Sequence, residues 1–197
     1  MRSIQQTGLL VILVCAVASA AFAQDSPKVE VFAGYSYANA EVSSVSKGWN
    51  GAVAGNITNW FSVVADVSGH YYSQNTVGND GNTVTNVDTK INVHTLALGP
   101  QLTLHIGRVA PFVHLLAGIA HTSQSASQHD ANGNVSMSDS SNGFAAMVGG
   151  GLDIGVTRLF AIRAIQADYN YIQFDSFGVK GLHSIAARIS TGLIIRF

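Results

Sequence analysis

The sequence predicts an all-β protein, an eight-stranded antiparallel up-and-down transmembrane β-barrel. Eight segments alternate apolar and polar side chains, and the connections between them are in turn polar and mostly long, then short. Charged residues make up only 11% of a chain that is 47% hydrophobic, whereas an ordinary soluble domain has about a quarter of its residues charged. Beyond the N-terminal region there is no long uninterrupted apolar run of the kind a spanning helix needs. A closed barrel meets every backbone hydrogen bond in lipid with strands and spends its apolar residues on one face of each.

Residues 1–23 read as a secretory signal peptide: Arg2, an apolar stretch from Leu9 to Ala18, and small residues at Ala21 and Ala23. This leaves 24–197 as one outer-membrane barrel domain. Cys15 falls in the leader, and Val14 fits poorly the small residue expected before a lipidated cysteine. The mature chain then has no cysteine, which excludes a disulfide scaffold and a thiolate site. A net charge of -1 with no basic cluster argues against nucleic acid as a partner.

The predicted strands are 28–38, 48–57, 61–72, 90–104, 110–122, 143–156, 160–174 and 181–197, most of them meeting the roughly 9 to 11 residues that a tilted membrane strand requires. The first assigns Val29, Val31, Ala33, Tyr35 and Tyr37 to lipid and Glu30 to the interior. In the third, Phe61, Val63, Ala65, Val67 and Tyr71 face out against Ser62, Asp66, Ser68 and His70. In the seventh, Gln166, Asp168 and Asn170 oppose Ile165, Ala167, Tyr169 and Tyr171. Arg163 falls on the outward parity there, so it either snorkels at the periplasmic rim or lies beyond a bulge. The last strand sends His183, Ile185, Ala187, Ile189, Thr191, Leu193, Ile195 and Phe197 outward, and Arg188 and Arg196 inward among small residues. Trp60, Phe61, Phe112, Phe160 and Phe197 would form a periplasmic aromatic belt, and Tyr37, Trp49, Tyr71, Tyr72, Tyr169 and Tyr171 an extracellular one. The turns "TNW", "HIGRV" and "TRL" lie on the periplasmic side. The polar stretches around 73–89 and 123–142 read as flexible extracellular loops. A soluble barrel of the lipocalin type would give no reason for loops sorted by side.

The segments "VEVFAGYSY", "LALGPQLTLH", "VAPFVHLLAGIAH", "FAAMVGGGLDIGV", "IQADYNYIQF" and "SIAARISTGLIIRF" resemble the small outer-membrane β-barrel proteins similar to the transmembrane domain of OmpA. The resemblance implies that Phe197 belongs to the signal read by the barrel assembly machinery. It also implies periplasmic chaperones during biogenesis, and outer-membrane lipids and lipopolysaccharide as neighbours. The chain ends at its last strand, so no peptidoglycan-binding domain is expected.

Eight strands enclose a lumen about wide enough for side chains to fill. Glu30, Asp66, Asp153, Asp168, Arg188 and Arg196, with Gln101 and His70, therefore read as a packed polar plug whose charges pair. Glu30 is expected to meet Arg196 across the closing seam, and Asp168 to meet Arg188. The seven histidines are too dispersed for a zinc site. Asp130, Asn132 and Asn134 have calcium-loop spacing without its glycine or closing glutamate. A lipid-modifying enzyme would need serine, histidine and an orienting carboxylate together. His121 and Ser123 share a parity, but the sequence identifies no carboxylate for them. The chain thus reads as a non-enzymatic structural outer-membrane protein without cofactors, with an adhesin-like or surface-recognition protein acting on an unknown extracellular ligand as the alternative. A lipid-modifying enzyme is the minor alternative.

Overall fold

A computed structural model describes residues 27–40, 43–79, 84–130, 133–176 and 179–197. The signal peptide, its cleavage site and Asn132 lie outside these residues, as do the side chains of Asp130 and Asn134. Eight strands, β1 Val29–Ala40, β2 Ser43–Asn56, β3 Phe61–Asn79, β4 Val84–Thr103, β5 Val109–Asp130, β6 Gly133–Gly155, β7 Phe160–Ser176 and β8 Val179–Arg196, form a closed barrel in chain order. All neighbours are antiparallel, and β1 closes on β8 from Glu30↔Arg196 to Ala40↔Ala186.

Turn chemistry explains the short connections. Thr58 Oγ1 accepts from the backbone N–H of Trp60 and Phe61 at 3.3 and 3.0 Å. Thr157 Oγ1 does the same for Leu159 and Phe160 at 3.2 and 2.9 Å. A threonine hydroxyl here replaces a backbone acceptor and tightens the turn. Between the bridged Ile106 and Val109, Gly107 takes φ +63°, which costs glycine little.

The polar stretches expected as flexible loops are strand. β3 pairs with β4 out to Asn79↔Val84, β4 with β5 to Asn86↔His129, and β5 with β6 to Asp130↔Gly133. The sheet therefore continues beyond Tyr71 to Asn79, about 27 Å of strand at ~3.4 Å per residue. In contrast, the β2–β3 ladder reaches only Lys47↔Tyr71 and the β6–β7 ladder only Gly143↔Phe174. The result is a four-stranded sheet, β3 to β6, standing above the rest of the barrel. No apolar alternation marks it because both faces are outside the apolar layer, so its pairing is invisible to a pattern reading.

Tyr35, Tyr37, Val63, Val67, Tyr71, Ile189, Leu193 and Ile195 are exposed, as the parity of β1, β3 and β8 predicts. Val29, expected to face lipid, is instead buried at the start of β1, where its N–H donates to the Phe197 carbonyl at 3.2 Å. Phe112 departs from the expected periplasmic belt. It shares the parity of His114 and Leu116 and is buried in the lumen with them. Arg163 is also buried, and the cause is a bulge: Arg163 pairs with Gly192 but Gln166 with Ser190, so β7 holds one residue more than β8 between them. Ala164 and Ile165 both face outward, and the phase of β7 reverses on either side. Thr191 Oγ1 donates to the Arg163 carbonyl at 2.9 Å at this point. The lumen is not wholly polar, since Phe32, Val64, Leu116, Met147 and Ile194 form an apolar cluster inside it.

Candidate functional site

Every strand contributes alternate residues to the lumen, and Asn50, Asp66, His114, Asp153, Arg163, Gln166, Asp168 and Arg188 are joined there in one hydrogen-bonded network. Arg188 is at its centre and is fully buried. Its Nε donates to Asp168 Oδ2 at 2.8 Å, and its Nη1 and Nη2 donate to the two oxygens of Asp66 at 3.0 and 3.2 Å. Asn50 Nδ2 donates to Asp66 Oδ2 at 2.8 Å and Gln166 Nε2 to Asp168 Oδ2 at 2.7 Å. His114 Nε2 lies 2.8 Å from Asp168 Oδ1.

The network runs on through Gln166, whose Oε1 accepts from Arg163 Nη1 at 2.7 Å. Arg163 forms a fork with Asp153, Nε to Oδ1 at 2.8 Å and Nη2 to Oδ2 at 2.9 Å. Phe32 and Phe112 lie over its guanidinium at 4.5 and 4.2 Å from their ring centroids. This arrangement satisfies a guanidinium through its edge and its faces together. Room for it comes from the glycine run of β6. A Cβ on Gly149 would stand 2.0 Å from Asp168 Oδ1, and one on Gly151 would stand 2.7 Å from the Phe112 ring.

At the seam, Arg196 Nε donates to Glu30 Oε1 at 2.9 Å, half-buried at the mouth on the side of the short turns. Lys28, Thr58, Arg158 and these two residues line a vestibule of about 950 Å³ there. Ser36 Oγ lies 2.8 Å from His70 Nε2 and 3.2 Å from Ser190 Oγ. Of the residues singled out from sequence, Asp66, Asp168 and Arg188 come together, Glu30 and Arg196 pair apart from them, and Phe197 is partly exposed, its backbone N–H donating to the carbonyl of Val29 at 2.8 Å. Sequence reasoning placed Gln166 on the inward parity of β7 but missed Arg163 as a plug residue, Phe112 as one of the rings over it, and Asn50 as a partner of Asp66. The parity of Phe112 with His114 was the available signal for one of them.

Among the described residues, no group of three or more His, Cys, Asp or Glu is placed to hold a metal ion. A chain of paired charges among the described residues crosses the lumen and fixes the barrel, its polar groups spent on one another. The accessible polar surface is instead the projecting sheet, whose outward face carries paired serines: Ser123↔Ser140, Ser125↔Ser138 and Ser127↔Ser136.

No curated protein matches the chain. Among solved structures it is similar to Ail, the attachment invasion locus protein of Yersinia pestis, in complex with the heparin analogue sucrose octasulfate, at 17% identity over 86% of this chain and 96% of that one, with a TM-score of 0.53. It is similar to the outer membrane protease OmpT of Escherichia coli at 10% identity over 78% of this chain and 64% of that one, TM-score 0.51. Neisserial surface protein A covers 86% of this chain and 96% of its own at 16% identity, TM-score 0.41. At these identities the likeness is one of fold. The outer membrane protein beta-barrel domain family matches residues 7–192, and the chain, a closed eight-stranded barrel with a polar interior, belongs to that family and resides in the outer membrane.

Proposed function

We propose that the protein is a surface-recognition, adhesin-like component of the outer membrane, in which a rigid barrel holds out the β3–β6 sheet toward partners outside the cell. The continuation of hydrogen-bonded pairing to Asn79↔Val84 and Asp130↔Gly133 carries this reading. A purely structural barrel has no use for a projecting sheet, whereas recognition gains from one that is already ordered. Within 72–94 and 121–142 the sequence has one lysine, Lys90, against Asp80, Asp88, Asp130 and Asp139. The partner is therefore uncharged or basic, and a polysulfated ligand like that in the Ail complex is disfavoured.

Replacing 128–135 with Asn-Gly keeps the Ser127↔Ser136 pair and closes it with a two-residue turn. The expected result is a folded, heat-modifiable barrel whose stability changes by less than about 1 kcal/mol, with loss of adhesion by cells displaying it to a panel of matrix proteins and eukaryotic cells. Undiminished adhesion would reject the recognition role, and loss of the folded barrel would make the hairpin structural.

Kinship to the OmpA transmembrane domain, lipopolysaccharide as a neighbour, and delivery by periplasmic chaperones to the barrel assembly machinery belong to the same proposal. Phe197 follows the last strand on its outward parity and is the residue such machinery would read. Removing it should lower folded outer-membrane yield several-fold, as measured by heat-modifiable migration, while the 128–135 replacement leaves the yield near normal. Equal yields would end the argument for Phe197.

A further inference from the structure

We propose that Ser123, His121 and Asn142 form a serine-hydrolase triad on the outward face of the barrel, acting on acyl esters of lipids in the outer leaflet. His121 Nδ1 lies 2.8 Å from Asn142 Oδ1, and Ser123 Oγ lies 3.2 Å from His121 Nε2. An amide oxygen only accepts, so Nδ1 carries the ring proton and Nε2 is left to accept from the serine hydroxyl. Nucleophile, base and orienting group thus stand in the relation that activates a serine. The backbone enforces it: His121 and Ser123 are two apart on β5 and share a face, and Asn142 of β6 is directly opposite His121.

The surroundings fit the chemistry. A groove of about 390 Å³ beside Ser123 is lined by Asn92, Gln124, Ser125, Ser138, Asp139 and Ser140, of which Gln124 and Asp139 have the inward parity of β5 and β6. Asn92 faces Ser123 directly from β4. Its amide N–H, which makes no hydrogen bond among the described residues, is the donor available to an oxyanion. Toward the membrane the same face carries the exposed row Leu96, Ile119 and Phe144, adjacent through Leu96↔Ile119 and Ile119↔Phe144. Tyr71 and His94, with Tyr71 OH 3.3 Å from His94 Nε2, mark the polar boundary between row and groove. Ser123 stands four residues beyond Ile119 on β5, roughly 13 Å of strand, so an acyl chain that crosses the row and runs up along β5 brings its ester carbonyl to Ser123.

Ser123 Oγ attacks that carbonyl as His121 Nε2 takes the hydroxyl proton, and the oxyanion turns to Asn92. Collapse breaks the ester C–O bond, and the departing oxygen takes the proton from His121. Water, deprotonated by His121, then attacks the acyl-serine and releases the fatty acid, restoring Ser123. The sum is ester plus water to acid plus alcohol. Sequence reading had the histidine and the serine but looked for a carboxylate, and it placed Asn142 in a loop.

The inference does not rest on the adhesin reading, because the triad lies at the base of the projecting sheet. Folded protein in detergent micelles, verified by heat-modifiable migration, is treated with an alkyl fluorophosphonate and the modified residue located by mass spectrometry. Fatty-acid release is followed in parallel from phosphatidylethanolamine and from lipid A in mixed micelles. Phosphonylation at Ser123 is expected, with turnover falling by ~10³-fold or more in Ser123→Ala and His121→Ala and by ~10²-fold in Asn92→Ala. Asn142→Asp should retain turnover and Asn142→Leu lose it, which separates a positioning role from a merely structural one. Ser136→Ala, higher on the same face, should label like the parent. Absence of labelling in the folded protein, labelling elsewhere, or turnover surviving Ser123→Ala would overturn the site. Labelling at Ser123 with neither lipid cleaved would overturn the substrate class, and the lipid that is cleaved identifies the source.

Discussion

Arg188→Leu is expected to destabilise the barrel by about 3–5 kcal/mol, the usual consequence of removing one partner from a buried ion network. Arg188 is 0% exposed, and Asp66 and Asp168, at 1% and 4%, have no other cation within salt-bridge reach among the described residues except the His114 ring beside Asp168. Deleting the guanidinium strands two carboxylates in a lumen closed to water. The triple variant Arg188→Leu, Asp66→Asn, Asp168→Asn should recover most of the loss, because it removes the charges and leaves amides that can still bond to Asn50, Gln166 and His114. Urea unfolding in detergent, followed by gel migration, measures both. A cost below about 1 kcal/mol for the single change would show that the network is hydrated and weak.

The same network shows what was legible in the sequence. Strict alternation in the last strand put Arg188 inside with no ambiguity, and the count of strands placed β7 next to β8, so Asp168 and Arg188 could be paired before any coordinates. Asp66 could be assigned to the lumen by parity. Its bond to Arg188 could not be foreseen, because it crosses the barrel between strands that are not neighbours and depends on the stagger of the whole sheet. Glu30 and Arg196 were legible for the opposite reason, since closure makes them direct partners.

The projecting sheet was illegible for a physical cause. Period-two patterning records a difference between two solvents, and a sheet with both faces outside the apolar layer has no such difference to record. "SQSASQ" and "VSMSDS" therefore look like loop composition although they pair residue for residue. The same blindness hid Asn142 from His121, 21 residues away in sequence and opposite it in the ladder.

Arg163 is the second site where a large effect is expected, and it tests whether the β7 bulge serves the interior. Without the bulge, Arg163 keeps the parity of Ile165 and points at lipid. With it, the side chain enters the lumen, forks with Asp153 and stacks between Phe32 and Phe112. Arg163→Ala leaves Asp153, 2% exposed, as an unpaired carboxylate and is expected to cost about 3–5 kcal/mol. Arg163→Lys should recover less than half of that, because an ammonium cannot make the fork, reach Gln166 and present flat faces to two rings at once. Arg163→Met with Asp153→Leu should come close to the parent, since it replaces the pair by apolar volume beside rings that already pack there. Deleting Ala164 removes the extra residue and leaves plain alternation, with Ile165 outward opposite Thr191 and Arg163 and Gln166 still inward, so it should cost far less than Arg163→Ala. If the deletion costs as much as Arg163→Ala, the local bend of the bulge, and not only the parity it sets, is what brings Arg163 to Asp153.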